Sequence, residues 1–460
     1  MTRADAIDRA RQHLRSGAFL ELLDRRVGYR TESQNPRGHE ALRAYLVEDL
    51  TPAFADLDFT TRLIESPTGK GPYLLASYHE DASLPTVLTY GHGDVVDGME
   101  GEWRDNLDPW RTTTRGERVY GRGTADNKGQ HSINLSALSA VREARGGKLG
   151  FNAKFIIETG EEIGSPDLRR VCEELREELK ADLFLASDGP RLSADRPTIF
   201  LGCRGGLRIH LDVNLRDGGH HSGNWGGVLA NAATILSSAI ASLVDRRGRM
   251  QLEALKPPRI SNRIRSVLAD VKVEPTADEP ALSPDWGEEG LSAAERLFAW
   301  NTLEVLAMSS GNIASPANAI PGDAHAVLQL RFVVGTRIEQ VIDAVRKHLR
   351  SNGFPMVEVS GAQGFAASQA DFDSPWVGWT AESIRKTTGK APAILPSFGG
   401  SLPNDTFSEG LGLPTIWVPH SYPGCSQHAP NEHILRPLTE EALGIMAGLF
   451  WDLGEMPRAL

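Results

Sequence analysis

The sequence predicts an α/β domain with a mixed sheet flanked by helices, interrupted by an inserted α+β domain. Three observations predict it. Short apolar runs alternate with helical patterns up to about residue 200, a two-residue alternation takes over from about Cys203, and the first texture returns beyond residue 362. At 460 residues the chain exceeds what one hydrophobic core organises, so two domains are expected. The boundaries that follow are 1–202 with 363–460 for the first domain, and 203–362 for the insertion.

Taken in order, MTRADAIDRARQHLRSGAFLELLDRRVGYR reads as an amphipathic helix, with Ile7, Ala10, His13, Leu14 and, past Gly17, Leu20, Leu22 and Leu23 at roughly helical spacing. Charge interrupts it every few residues, so it offers no signal peptide or membrane span. TVLTYGH reads as a strand, HSINLSALSAVREA as a helix, FNAKFIIET as a strand, DLRRVCEELREELK as a helix and DLFLAS as a strand. In CRGGLRIHLDVNL the alternating Leu207, Ile209, Leu211 and Val213 mark a half-buried strand of a different sheet. A helix from about Gly227 to Val244, the strand AHAVLQLRFVV, the helix RIEQVIDAVRKHLR and the strand PMVEVSG complete the insertion. Residues 271–292, acidic and proline-bearing, read as a surface excursion. The helix WVGWTAESIRKTT and the strand PTIWVP resume the first domain.

Composition narrows the function. Lys and Arg total 49 against 60 Asp and Glu, a net charge of −11, which argues against nucleic acid or an anionic membrane as partner and leaves small solutes. Three cysteines, Cys172, Cys203 and Cys425, form no disulfide framework, and a cytoplasmic protein is expected. H-E-x-x-H, G-x-S-x-G and Walker A signatures are missing.

Five short blocks carry metal-ligand residues: His92 in TYGHGDVV, Asp126 in GRGTADNKG, Glu161 and Glu162 in ETGEEIGS, Asp188 in ASDGP, and His428 in QHAPNEH. The gaps are too long for a zinc finger, so the fold must gather the residues from several loops. His92, the glutamates and Asp188 fall at or just after strand C-termini, where open α/β sheets place ligands. Asp94, two residues beyond His92, can reach the ring nitrogen a metal leaves free. Asp126 lies in a glycine-framed turn where its two oxygens could bridge two cations, or where it simply caps a helix. Of the adjacent Glu161 and Glu162, one can ligate while the other handles a proton. GRGTAD partly matches a dinucleotide fingerprint, but Asp126 occupies its third glycine position and no clear buried strand precedes it. Cys425 and His428 form a C-x-x-H spacing in which we favour His428 as ligand, since no second cysteine pair accompanies it.

These blocks together resemble the M20 metallopeptidase family, the carboxypeptidase G2-like and carnosinase-like di-metal amidohydrolases, over nearly the whole chain. The resemblance implies that Asp126 bridges two divalent ions, with His92 and Asp188 completing one site and Glu162 and His428 the other. It also implies that Glu161 is the general base and that the peptide from Asp126 to Asn127 is cis. Zinc is the default for these donors, while manganese or cobalt fits the same set.

In the insertion the resemblance leans to the dipeptidase branch and implies a lid and dimerisation role. HHSGNWGG implies that His221 reaches across a homodimer interface into the partner's site, and SPANAIPGDAHAVLQLRF implies that Arg331 grips a substrate carboxylate, with Asn318 where threonine is frequent. GGSLP supplies Gly400 and Ser401 as further substrate contacts. Two departures stand out: Ser397 and Phe398 replace the usual Arg-Glu, and Asp97 replaces a proline. The implied activity is hydrolysis of a dipeptide or short peptide bearing a free carboxylate, by a metal-bridged water with Glu161 as base. An N-acyl amino acid deacylase or carbamoylase is the alternative, and a silent metal-binding scaffold a third reading.

Overall fold

Apolar side chains alternating along short strands build the larger of two principal sheets in the computed structural model, which describes residues 1–275 and 279–456. Across this eight-stranded sheet the order is Thr60–Ile64, Tyr73–Tyr78, Asn152–Glu158, Thr86–His92, Leu183–Ala186, Thr415–Trp417, Thr198–Phe200 and Ala393–Leu395. The sheet is mixed. Asn152–Glu158, Thr86–His92, Leu183–Ala186 and Thr415–Trp417 run parallel, whereas Tyr73–Tyr78 and Thr60–Ile64 join antiparallel at one edge.

Successive side chains point to opposite faces, and each face has its own core. Val87, Ala153, Phe155 and Ile157 pack against the helices Arg3–Arg15, Lys128–Ala144 and Arg436–Gly454. Leu88, Tyr90, Ile156 and Phe184 form the other core with Leu168, Val171, Phe407 and Trp417. Each such side chain removed from water contributes about 1.5–3 kcal/mol.

The N-terminal pattern resolves into two helices. Thr2 and Asp5 cap the first reciprocally, and Gly17 at φ 92° turns the chain into the second, Ala18–Val27. The helix expected over DLRRVCEELREELK is shorter, Leu168–Glu174, and gives way to turns that bury Leu179 in the same core.

The smaller sheet is antiparallel, ordered Thr302–Ser309, Asp323–Phe332, Gly205–Asn214, Val357–Gln363. Leu207, Ile209, Leu211 and Val213 are buried on one of its faces, beneath the helices Ala232–Leu243 and Val341–Ser351. The first of these helices starts five residues after Gly227, where the Asn231 side chain caps it. A stretch within 203–362 departs from this unit: Ile264, Leu268, Val271, Ala294 and Phe298 pack on the larger sheet beside Leu395 and Phe407. Most of residues 271–292 is exposed, and 276–278 lie outside the described residues. No helix among the described residues is long and apolar enough to cross a membrane.

This architecture positions the site. Three adjacent parallel strands end side by side, placing His92 at the tip of one, Glu161 and Glu162 in the turn after the second, and Asp188 just beyond the third.

Candidate metal centre

The remaining members arrive on loops from a three-stranded sheet formed by Thr113–Arg115, Arg118–Tyr120 and His433–Leu435. Asp126 precedes the helix Lys128–Ala144, and the Asp126–Asn127 peptide is cis, as the family resemblance implies. His428 sits in a tight turn with φ 56°, a left-handed conformation that few non-glycine residues adopt.

Asp126 stands at the centre. One carboxylate oxygen lies 3.0 Å from His92 Nε2, the other 3.0 Å from His428 Nε2. Asp188 approaches the same His92 nitrogen at 3.7 Å, and Glu162 approaches His428 Nε2 at 3.0 Å. Ligand atoms of His92, Asp126 and Asp188 fall within 4.8 Å of one another, as do those of Asp126, Glu162 and His428. Donors bonded at about 2.0–2.2 Å to one ion stand at most about 4.4 Å apart, so small side-chain adjustments would close either triplet on a cation. The imidazole and carboxylate donor set fits zinc, manganese or cobalt.

The charge balance points the same way. Asp126, Glu161, Glu162 and Asp188 crowd around two imidazoles. Burial pushes Glu162 up to about 7 and Asp188 up to about 6, the Asp126 charge acting in the same direction on both. Hydrogen bonds that its ring donates to Asp126 and Glu162 push His428 up to about 11. Burial opposes charge on His92, yet Asp126, Asp94 and Asp188 hold it well above the usual imidazole range. Buried carboxylates in this number are stable when cations neutralise them.

Asp94 faces the other ring nitrogen: its carboxylate is 3.4 Å and its backbone oxygen 3.1 Å from His92 Nδ1. The same carboxylate accepts the backbone N–H groups of Glu161 and Glu162, so one residue orients both the histidine and the acidic turn. Glu161 lines the cavity, where burial pushes its carboxyl well above the usual range despite the opposing charge of His92.

That cavity, about 840 Å³, joins the two sheets. Asp126, Glu161, Glu162, Asp188 and His428 line it together with Arg331, Gly400 and Ser401. Arg331 Nη1 donates to Ser401 Oγ at 2.7 Å, and that hydroxyl donates to the Arg204 carbonyl at 2.8 Å. Phe398 turns its ring over Gly189 and Gly400 and packs on Phe200, giving this end an apolar surface. Ser397 beside it is buried, while Asp97 is exposed.

His221 and Asn318 are not brought to this cavity. Both are exposed, His221 in the short pairing of His220–His221 with Ala319–Ile320, and Asn318 just before that pairing, its carbonyl accepting from Ser222. Cys425 is buried and contributes to neither triplet; burial pushes its thiol up to about 12, which disfavours a thiolate.

Sequence reasoning missed several residues that hold the centre. Glu432, fully buried, accepts the backbone N–H groups of Gly123, Ala125 and Asp126 and pairs with buried Arg122 at 2.9 Å. Gln427 donates to Asp126 at 2.8 Å. Asn127 donates to the Ser187 carbonyl and accepts from the His92 backbone. The signal for Glu432 was its place in APNEH, four residues after a candidate ligand; a charge in a turn gives no hint of burial.

The sequence model described as Peptidase family M20/M25/M40 matches residues 88–452. Beta-Ala-His dipeptidase of Mus musculus is 32% identical over 90% of this chain and 87% of its own length. Its Homo sapiens counterpart is 27% identical over 84% of this chain and 78% of its own. The crystal structure of human carnosine dipeptidase 1 superposes with a TM-score of 0.81 at 23% identity, covering 98% of this chain and 99% of that one, a likeness of fold.

Proposed function

The chain belongs to peptidase family M20/M25/M40, and on that premise we propose that it is a metal-dependent dipeptidase, as its Beta-Ala-His dipeptidase relatives are named. The observation that carries the reading is a pair of ligand triplets sharing Asp126, beside a cavity that Arg331 also lines. His92, Asp126 and Asp188 would hold one divalent ion, and Asp126, Glu162 and His428 a second, with zinc our assignment. Bound there, the ions supply Lewis acidity toward the scissile carbonyl and raise the acidity of water.

The side chains do the rest. Glu161 takes the proton from the attacking water and delivers it to the leaving amine nitrogen, the task of a carboxylate not engaged in ligation. Asp94 keeps His92 in one tautomer and fixes the turn bearing Glu161. Arg331, braced by Ser401, takes the free C-terminal carboxylate in a two-pronged contact beside Gly400. The distance between that anchor and Glu161 limits the length of the substrate.

His221 and Asn318 serve the partner's cavity in a homodimer through the smaller sheet, His221 as donor to the oxyanion. Two features support this: both are exposed, and the edge strand Thr302–Ser309 presents Val305, Leu306 and Met308 to solvent. An open, apolar strand edge is a template for pairing with another chain.

Dipeptides and N-acyl amino acids assayed side by side with the zinc-loaded protein test the proposal. The apolar ring of Phe398, where the family resemblance implies a charged pair, is the feature that favours the acyl substrates as the second reading. Hydrolysis of dipeptides, lost in Glu161→Gln with metal still bound, is expected; cleavage of acyl amino acids alone would replace the proposal.

A further inference from the structure

One wall of the cavity is a patch of the smaller sheet with a composition the dipeptidase reading does not use. In the antiparallel pair of Gly205–Asn214 with Asp323–Phe332, Gly206 lies opposite Arg331 and Arg208 opposite Gln329. Residues two apart on a strand and their cross-strand partners share a face, and all four line the cavity. Arg208 and Arg331 are therefore diagonal neighbours, with Cα atoms about 7–8 Å apart. Gly206 keeps the space between them open: a Cβ there would meet Gln329 Nε2 at 3.0 Å and Arg331 Nη1 at 3.7 Å.

Among the described residues both arginines lack a carboxylate partner. Among the described residues neither forms an ion pair, and Arg331 spends one donor on Ser401. Arg204 adds a third positive charge behind the wall, buried with its Nε donating to the Gly399 carbonyl and its Nη1 without a partner. Glu304 lies opposite Gln329 on the edge strand and so shares the face, but it does not line the cavity and reaches none of the three in an ion pair. Burial lowers the Arg331 pKa, and the nearby Arg208 charge acts in the same direction. A wall with this surplus of guanidinium binds one carboxylate in an ordinary dipeptide and leaves the exposed Arg208 without an anion.

We propose that Arg208 forms a second anion site beside Arg331 and selects dipeptides whose C-terminal residue carries a side-chain carboxylate. The inference rests on the dipeptidase reading. In a C-terminal aspartate or glutamate three or four bonds separate the two carboxylate carbons, so the α-carboxylate on Arg331 brings the second group toward the neighbouring guanidinium. Gln329, between them, offers an amide donor to either oxygen pair. A neutral isostere gives the exposed Arg208 no anion to pair with, and a basic side chain meets like charge.

Steady-state kinetics on zinc-loaded protein with Ala-Glu, Ala-Gln and Ala-Leu, for the wild type, Arg208→Gln and Arg208→Lys, test it. The wild type is expected to favour Ala-Glu over Ala-Gln by about tenfold or more in kcat/KM, the worth of a charge-assisted hydrogen bond. Arg208→Gln should remove that preference, chiefly through KM on Ala-Glu, with a much smaller effect on Ala-Gln. Arg208→Lys should restore part of it, which a purely structural role would not do. Cleavage of all three with no acidic preference, or a preference that survives Arg208→Gln, overturns the inference while leaving the dipeptidase reading intact. If no dipeptide is cleaved, that reading fails, and calorimetric binding of glutamate against glutamine decides the inference. Glutamate binding that weakens in Arg208→Gln upholds it; binding of neither, or of both equally, overturns it.

Discussion

Replacing Glu432 by Gln alters no ligand and no substrate contact, yet the structure predicts a large loss. The carboxylate accepts from Gly123 at 3.0 Å, Ala125 at 2.9 Å and Asp126 at 3.0 Å, and its second oxygen also receives Arg122 at 2.9 Å. Both side chains of the pair are 1% exposed. An amide presents one acceptor where the carboxylate presents two, and turns an N–H₂ toward backbone donors. Two of the four contacts are lost, each worth about 1.5–3 kcal/mol when one partner is charged. Arg122 is left buried without its counter-charge, a loss that independently comes to about 3–5 kcal/mol. The first route gives about 3–6 kcal/mol and the second about 3–5 kcal/mol, a large share of a typical folding free energy.

Urea unfolding of the metal-free protein, followed by tryptophan fluorescence at mildly alkaline pH, measures it as a fall in midpoint at constant slope. The exposed pair of Arg15 with Glu440 supplies the comparison, since Glu440→Gln should cost no more than about 1 kcal/mol. Because Glu432 also fixes the backbone that presents Asp126, zinc affinity of Glu432→Gln should fall about 10- to 100-fold, the usual effect of losing a ligand's support. A Glu432→Gln protein as stable as Glu440→Gln, with unchanged zinc affinity, would refute the reasoning.

Two further outcomes follow. His420 is fully buried, 3.0 Å from Ser187 Oγ, and burial holds its pKa well below the usual imidazole range. The unfolded chain then binds the extra proton, so its stabilising effect is complete above about pH 6.5 and declines below it by up to about 1.4 kcal/mol per pH unit. Urea midpoints across a pH series should show that decline, and His420→Gln should flatten it. For the proposed sharing of His221, equal mixtures of His221→Ala and Glu161→Gln chains should regain part of the activity each lacks; a mixture as inactive as its components contradicts a trans role.

The five ligand blocks were legible because each is short, polar and placed at the end of an apolar run, so strand and turn signals located His92, Glu161, Glu162 and Asp188 without the fold. The Leu207 to Val213 alternation was equally plain, since one face of that strand is buried and the other is not. The helix Arg436–Gly454 escaped notice for the opposite reason: twelve of its residues are buried on nearly every side, which erases the helical period. Thr60–Ile64 is an edge strand with no fully buried residue and hence no apolar run. The return of Ile264 to Phe298 to the larger sheet rests on a few scattered apolar residues. Arg208 and Glu432 carry charges whose meaning depends on which surface the fold closes over them, a distinction that residue type alone does not make.

The most direct test of the central claim is the position and number of bound ions. Crystals of the zinc-loaded protein, with anomalous scattering recorded at the zinc edge, should show two peaks flanking Asp126, one against His92 and Asp188 and one against Glu162 and His428. A single peak, or ions ligated by other residues while Asp126 contacts none, would contradict it.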